Sequence, residues 1–181
     1  MLHINFTPFP VITSQRLRLR GPKINDAEEI MVLRSDERVN KFIDRPKSIG
    51  LAEAKKFIEK INKGISNNEW VDWAITLKDN DNLIRTICLW NISVENDTAE
   101  LGYELHPDFQ GKGIMQESVA KIIEYGFNKM KLKVITAFTH PGNNRSTGLL
   151  LKYNFLLDKN YKYVEREDAG RLSVYYLIKP H

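Results

Sequence analysis

Apolar and polar positions divide this chain into stretches of period two, which predict strands, and stretches of period near 3.6, which predict helices. Ser14 to Arg20 alternates strictly and predicts a first strand, with Leu17 and Leu19 facing in and Arg16, Arg18 and Arg20 forming a solvated face. The ten residues before it are expected to lie extended. Asn25-x-x-Glu28 is a capping-box-like start for a short helix through Ala27, Ile30 and Met31, and Asp36 to Ile43 reads as a further helical turn. Ser48 is the expected cap of a longer helix. That helix buries Leu51, Ala54, Ile58, Ile61 and Ile65, turns Lys55, Lys56, Glu59 and Lys60 to water, and ends at Asn67-Asn68.

Glu69–Leu77, Leu83–Ile92 and Thr98–Leu105 read as three strands joined by polar turns at Asp79–Asn82 and Glu95–Asp97, an antiparallel meander. A helix then carries Met115, Val119, Ile122, Ile123, Gly126, Phe127 and Met130 on one face, and Lys133–Thr139 is the next strand. A strand, a helix and a strand make a crossover, so the Thr98 and Lys133 strands should be parallel. After a loop at 140–146 come a short helix, Thr147–Tyr153, a left-handed Asn154, and strands from Phe155, Val164 and Leu172, with a hairpin turn at Asp168–Gly170. The order predicts an α+β (mixed α/β) fold in a single domain over residues 1–181.

Composition narrows the classes. The 42% hydrophobic and 28% charged content is that of an ordinary globular chain. A net charge of +4 suits acidic ligands such as phosphates and is too small to argue for nucleic acid. The one cysteine, Cys88, excludes an intrachain disulfide and a cysteine metal cluster, in keeping with a cytoplasmic location. There is no secretory-type leader and no apolar run near ~18 residues, so neither a signal peptide nor a membrane partner is expected. No His and carboxylate set has metal spacing, so no metal is expected.

The most informative stretch is L-G-Y-E-L-H-P-D-F-Q-G-K-G-I-M-Q-E, from Leu101 to Glu117. A strand, a glycine-containing loop and a helix N-terminus form an anion seat, because loop amides and the helix dipole both present positive charge. Gly111 and Gly113 allow close approach of a bulky ligand, and Lys112 adds a full charge. The expected seat for a phosphate or pyrophosphate is residues 110–116. The spacing fits neither a P-loop nor, with Gln116 at its third glycine, a dinucleotide fingerprint.

The same residues resemble motif A of the GNAT acetyltransferases, Gln/Arg-x-x-Gly-x-Gly/Ala. Gln110, Gly113 and Met115 stand at its key positions, Met115 departing from Gly/Ala as in the ribosomal-protein N-acetyltransferase-like branch. Asn143-x-x-Ser146 followed by Leu149 to Phe155 is similar to the family's Asn-x-x-Ser…Glu-Lys-x-Gly-Phe, with Leu151 at its Glu and Asn154 at its Gly. The opening R-L-R-L-R and Asp26-Ala27 are also typical of that branch, and the resemblance runs from about Thr13 to Lys179.

It implies a GNAT fold, a mostly antiparallel sheet with a splayed parallel pair and helices on both faces. It implies acetyl-coenzyme A as cosubstrate. The pyrophosphate would lie on Gln110, Gly111, Lys112, Gly113, Ile114 and Met115, and the pantetheine arm along the splayed strands. An amide near Leu105 would polarise the thioester carbonyl. Asn143 would bond the pantetheine amides or only shape an Asx turn, and Ser146 would bond the coenzyme sulfur or only cap a helix. Glu100 is the first candidate base, with a structural carboxylate as the alternative, and Asp158 the second. Many relatives place a tyrosine acid near the site of Leu150, which cannot serve. His106 and His140 read as turn residues and Cys88 as core, while Trp70, Trp73 and Phe42 suit an acceptor pocket or the core equally.

The resemblance thus implies an N-acetyltransferase acting on a primary amine by direct transfer, a protein N-terminal α-amine such as that of a ribosomal protein being favoured. Acetylation of a small amine or antibiotic, and a non-catalytic acyl-coenzyme A-binding module, are the alternatives. Monomer and homodimer both fit.

Overall fold

The computed structural model describes residues 1–42, 50–104, 111–159, 164–166 and 170–180. The alternating stretches form strands: β1 (Ile12–Thr13), β2 (Leu17–Arg20), β3 (Val71–Leu77), β4 (Asn80–Ser93), β5 (Thr98–Glu104), β6 (Val134–Thr139), β7 (Leu156–Leu157), β8 (Val164–Arg166) and β9 (Gly170–Ile178). The helices are α1 (Ala27–Ser35), α2 (Glu37–Asn40), α3 (Leu51–Ser66), α4 (Ile114–Tyr125) and α5 (Asn144–Lys152), with a 3-10 turn at Ile24–Asp26 and a π turn at Gly126–Met130 prolonging α4. The sheet order is β1-β2-β3-β4-β5-β6-β9-β7, and β8 pairs with β9. Neighbours are antiparallel except β5 and β6, which the crossover through α4 makes parallel. The GNAT-type sheet expected from the sequence is therefore present.

Period-two alternation sends side chains to two cores. Leu17, Leu19, Trp73, Ile87, Leu89 and Leu101 meet α4 residues Ile114, Met115, Val119 and Ile122 on one face. On the other, Ala74 and Leu83 meet Ala27 and Ile30 of α1 and Ala54 and Ile58 of α3. Trp73 is fully buried, and its indole N–H donates to the Pro10 carbonyl at 2.8 Å. Trp70 lies against α3, where a Cβ on Gly64 would stand 2.0 Å from its ring. Both tryptophans are therefore packing residues rather than acceptor-pocket residues, and only Phe42 of the three aromatics remains at the cleft described below.

Three local expectations change. Arg20 is not solvated: it is 4% exposed, and its guanidinium donates to Asp26 at 2.8 and 2.7 Å and to Asp81 at 2.8 Å. Removing one partner of a buried pair costs about 3–5 kcal/mol, whereas a surface pair such as Lys121–Glu124 contributes about 1 kcal/mol at most, so Arg20 rather than the surface lysines fixes this corner. The turn into α1 is organised by Asp26, which accepts from the Lys23 amide at 2.7 Å, and Asn25 lies inside the 3-10 turn. Helix α5 begins three residues earlier than the periodicity suggests, because Asn143 caps it by accepting from the Ser146 amide at 3.1 Å. Asn154 adopts the expected left-handed conformation, with φ 61°. Ser48 and the turn before Gly170 lie outside the described residues.

Candidate active site

Gly113 is the N-cap of α4 with φ +70°, and Gly111 has φ +78°, a region L side chains rarely adopt. The first bond of the helix runs from the Glu117 amide to the Gly113 carbonyl at 3.0 Å, leaving the amides of Ile114, Met115 and Gln116 without acceptors inside the helix. Ile114 and Met115 bury their side chains (5% and 4% exposed), so only their backbones can serve a ligand.

Two clamps hold this helix start. Arg16 donates to the Lys112 carbonyl at 2.9 Å and to Glu117 at 2.8 Å, and Ser14 Oγ donates to Glu117 at 2.5 Å. Burial pushes the Glu117 carboxyl up, and the hydrogen bonds from Ser14 and Arg16 more than offset it, holding the group below the usual carboxylate range. On the other side, Tyr153 donates its hydroxyl to the Gln116 carbonyl at 2.6 Å and Lys152 reaches the Gln116 side chain at 2.7 Å.

The parallel ladder pairs Thr98–Glu100 with Val134–Thr136. Beyond it, β5 runs to Glu104 and β6 to Thr139 with no further rung between them among the described residues, and a cleft of about 860 Å³ opens there. Glu100, Tyr103, Phe138, His140, Asn143 and Ser146 line it, with Arg38 and Phe42 from the α2 side. Glu100 is 5% exposed and Ser146 7%. Tyr103 Oη and Ser146 Oγ lie 2.9 Å apart. His140 stacks on Phe42 (ring centroids 5.1 Å apart, 28° between planes) and accepts from the Gly142 amide at 3.0 Å, a structural use of that histidine. A second cavity, of about 540 Å³, lies between residues 3–13 and the outer face of α4, and none of the candidate catalytic residues borders it.

The sheet carries further acidic groups at the cleft, Glu104, and beside it, Asp72. Glu104 pairs with Arg34 at 3.7 Å, and Asp72 and Gly102 flank Cys88 in register across β3, β4 and β5. A Cβ on Gly102 would stand 2.8 Å from Cys88 Sγ and 3.4 Å from the Trp90 indole nitrogen, so glycine is what lets those two side chains close the floor. Burial, then Asp72, Glu100 and Glu104, push the Cys88 thiol well above its ordinary value, which suits packing and not nucleophilic attack. Burial, then the nearby Glu104, raises Asp72 to about 8, and its Oδ1 is shielded with no hydrogen-bond partner.

The folded pKa of Asp72 thus lies above its ordinary value of 3.8, and keeping the proton weighs against folding progressively as pH rises from near 4 to near 8. Asp72→Asn is neutral in both states. It should raise the melting temperature at pH 7–8 by at least about 2–4 °C, the shift that 1 kcal/mol produces in a domain of this size, and by nothing near pH 4. Thermal melts across that range check this, and a pH-independent difference refutes it.

Of the candidates read from the sequence, Glu100, Asn143 and Ser146 come together in one cleft, and Gly111, Lys112, Gly113, Ile114 and Met115 form the helix start. Leu105, His106 and Gln110 lie outside the described residues. Asp158 does not join them: its amide donates to the Val174 carbonyl at 2.9 Å, after β7, on the far side of β9 from β6. Leu150 is fully buried and apolar, as expected. The sequence gives no warning of the Tyr103–Ser146 contact, the Arg34–Glu104 pair, or Arg85, a 1% exposed guanidinium that burial pulls down to about 10. Among the described residues no group of three or more His, Cys, Asp or Glu could hold a metal ion, and no helix is long and apolar enough to cross a membrane.

A parallel strand pair that parts over a cleft, next to a glycine-led helix start, matches the arrangement expected of an acyltransferase. Residues 16–156 match the acetyltransferase (GNAT) domain, and the chain belongs to that family. It is 30% identical over 162 residues to the uncharacterized N-acetyltransferase p20 of Bacillus licheniformis, covering 90% of this chain and 91% of that one. Among solved structures, RimL, a ribosomal L7/L12 α-N-protein acetyltransferase in complex with coenzyme A, superposes with TM-score 0.81 at 17% identity, covering 93% of this chain and 98% of that one. The microcin C7 self-immunity acetyltransferase MccE, in complex with acetyl-CoA and AMP, gives TM-score 0.75 at 22% identity, covering 92% and 94%.

Proposed function

We propose that this N-acetyltransferase moves acetyl from acetyl-coenzyme A to a primary amine by direct transfer in a ternary complex, and that the whole chain works as one cytoplasmic domain. The observation that carries the reading is the gap between β5 and β6, which holds Glu100 and Ser146 in one cleft.

In this reading the α4 start, Gly111 to Met115, seats the pyrophosphate, with Gln110 beside it. The pantetheine arm lies between the parted strands. There Asn143 offers its side-chain NH2, while its Oδ1 accepts from the Ser146 amide. Glu100 takes one proton of the ammonium, the amine nitrogen bonds to the thioester carbon, the C–S bond breaks with its electron pair going to sulfur, and the nitrogen sheds its second proton to water to leave the neutral amide. An amide at Leu105 would carry the developing oxyanion.

The acceptor side, with Glu100, Glu104, Trp90 and Phe42, suits a cation bearing an apolar or aromatic neighbour. That chemistry, with the likeness to RimL, supports a protein N-terminal α-amine as acceptor.

Isothermal titration of acetyl-coenzyme A into the purified chain tests the foundation. Micromolar binding is expected. Absence of binding sinks the coenzyme reading and every role assigned here.

A further inference from the structure

The 2.9 Å contact between Tyr103 and Ser146 joins two elements at the cleft, β5 and the first turn of α5. Neither hydroxyl has another hydrogen-bond partner among the described residues. The backbone of Ser146 is held by the Asn143 cap, so its Oγ has a fixed origin. Burial raises the Tyr103 phenol to about 12, so it stays protonated at neutral pH and can donate. A phenol is the stronger donor of the two. Either hydroxyl could donate across this contact; with the phenol as donor, Ser146 accepts and the serine proton is left to point away from Tyr103.

We propose that Tyr103 is a positioning residue that directs the Ser146 hydroxyl at the sulfur of the departing coenzyme A. The inference rests on the acetyl-coenzyme A reading above. Sulfur leaves as a thiolate with the electron pair of the broken C–S bond, and it accepts a hydrogen bond from Ser146 Oγ. No proton leaves the Tyr103–Ser146 pair. Two protons leave the nitrogen, one through Glu100 and one directly to water, and the thiolate later takes one back, so the exchange balances with one proton released to water. Ser146 touches the leaving group, and Tyr103 acts through Ser146.

The test needs no acceptor. Coenzyme A itself is the probe, bound to the full chain, and its thiol is titrated by the ultraviolet absorbance of the thiolate while calorimetry reads binding separately. Ser146→Ala should raise the pKa of the bound thiol by about one unit, the weight of a hydrogen bond to a charged group. Tyr103→Phe, which keeps the ring and its packing, should raise it by about half a unit or more. The double variant should raise it no further than Ser146→Ala, and Ser146→Thr, which keeps a hydroxyl, should stay within about 0.3 unit of the unaltered chain.

Intact binding with an unmoved thiol in Tyr103→Phe overturns the positioning role alone. So do additive shifts in the double variant. An unmoved thiol in Ser146→Ala removes the sulfur from Ser146 and overturns the proposal at its base. If the unaltered chain binds no coenzyme A, the acetyl-coenzyme A reading falls and this inference with it.

Discussion

Gly113→Asp should weaken acetyl-coenzyme A binding by about three orders of magnitude, some 4 kcal/mol. Gly113 caps α4 at φ +70°, where an L residue costs about 1–2 kcal/mol. An added carboxylate within ~4 Å of a bound phosphate costs about as much again or more, at the effective dielectric of a protein surface. Arg16 offsets only part of this, because it already serves Glu117 and the Lys112 carbonyl. Among the described residues a Cβ at Gly113 would meet only Arg16, at 3.5 Å, so the fold should survive. Gly113→Ala, which carries the conformational cost without the charge, should lose only about tenfold. Calorimetric titration of both variants separates the terms. Equal affinities for the two would mean that no anion sits at the α4 start.

Glu100→Gln should lower kcat by about 10²–10⁴-fold, the usual weight of a positioned general base. Glutamine keeps the shape and the hydrogen-bonding oxygen but cannot take the proton of the ammonium. Affinity for acetyl-coenzyme A should change less than about twofold, because this carboxylate acts on the acceptor. Asp158→Asn should leave kcat within about twofold, since Asp158 lies beyond β9 from the cleft. Turnover is measured on the best substrate from a panel of peptide N-termini and small amines. A collapse in Asp158→Asn with normal turnover in Glu100→Gln would reverse the assignment.

What the sequence discloses here is local. The Gly111–Gly113 loop, the apolar face of α4, and the alternating Thr98–Glu104 strand each carry their signal within a few residues, so the parallel pair and its helix start are legible. Asn154 is legible because few residues accept its φ of 61°. Contacts across long chain separations are not. Arg20 reads as a solvated arginine until Asp81, 61 residues away, closes on it. Trp73 and Trp70 suit a pocket or the core equally until the Pro10 carbonyl and Gly64 claim them. Tyr103 and Ser146 are 43 residues apart, and no pattern of period two or 3.6 links them. The place of Asp158 is not legible because a two-residue strand, Leu156–Leu157, gives no sign of which edge it joins.

The three-rung seam between β5 and β6 also has a mechanical meaning. It is flanked by stronger joints, with six paired positions between β4 and β5 and six between β6 and β9. The sheet is therefore two plates, β1 to β5 and β6 with β9 and β7, sharing one short hinge line. A guest laid along the gap with its own amides and carbonyls adds the missing rungs and turns two plates into one. Pulled across the strands, the empty chain should tear first along this line, and the occupied chain at a higher force.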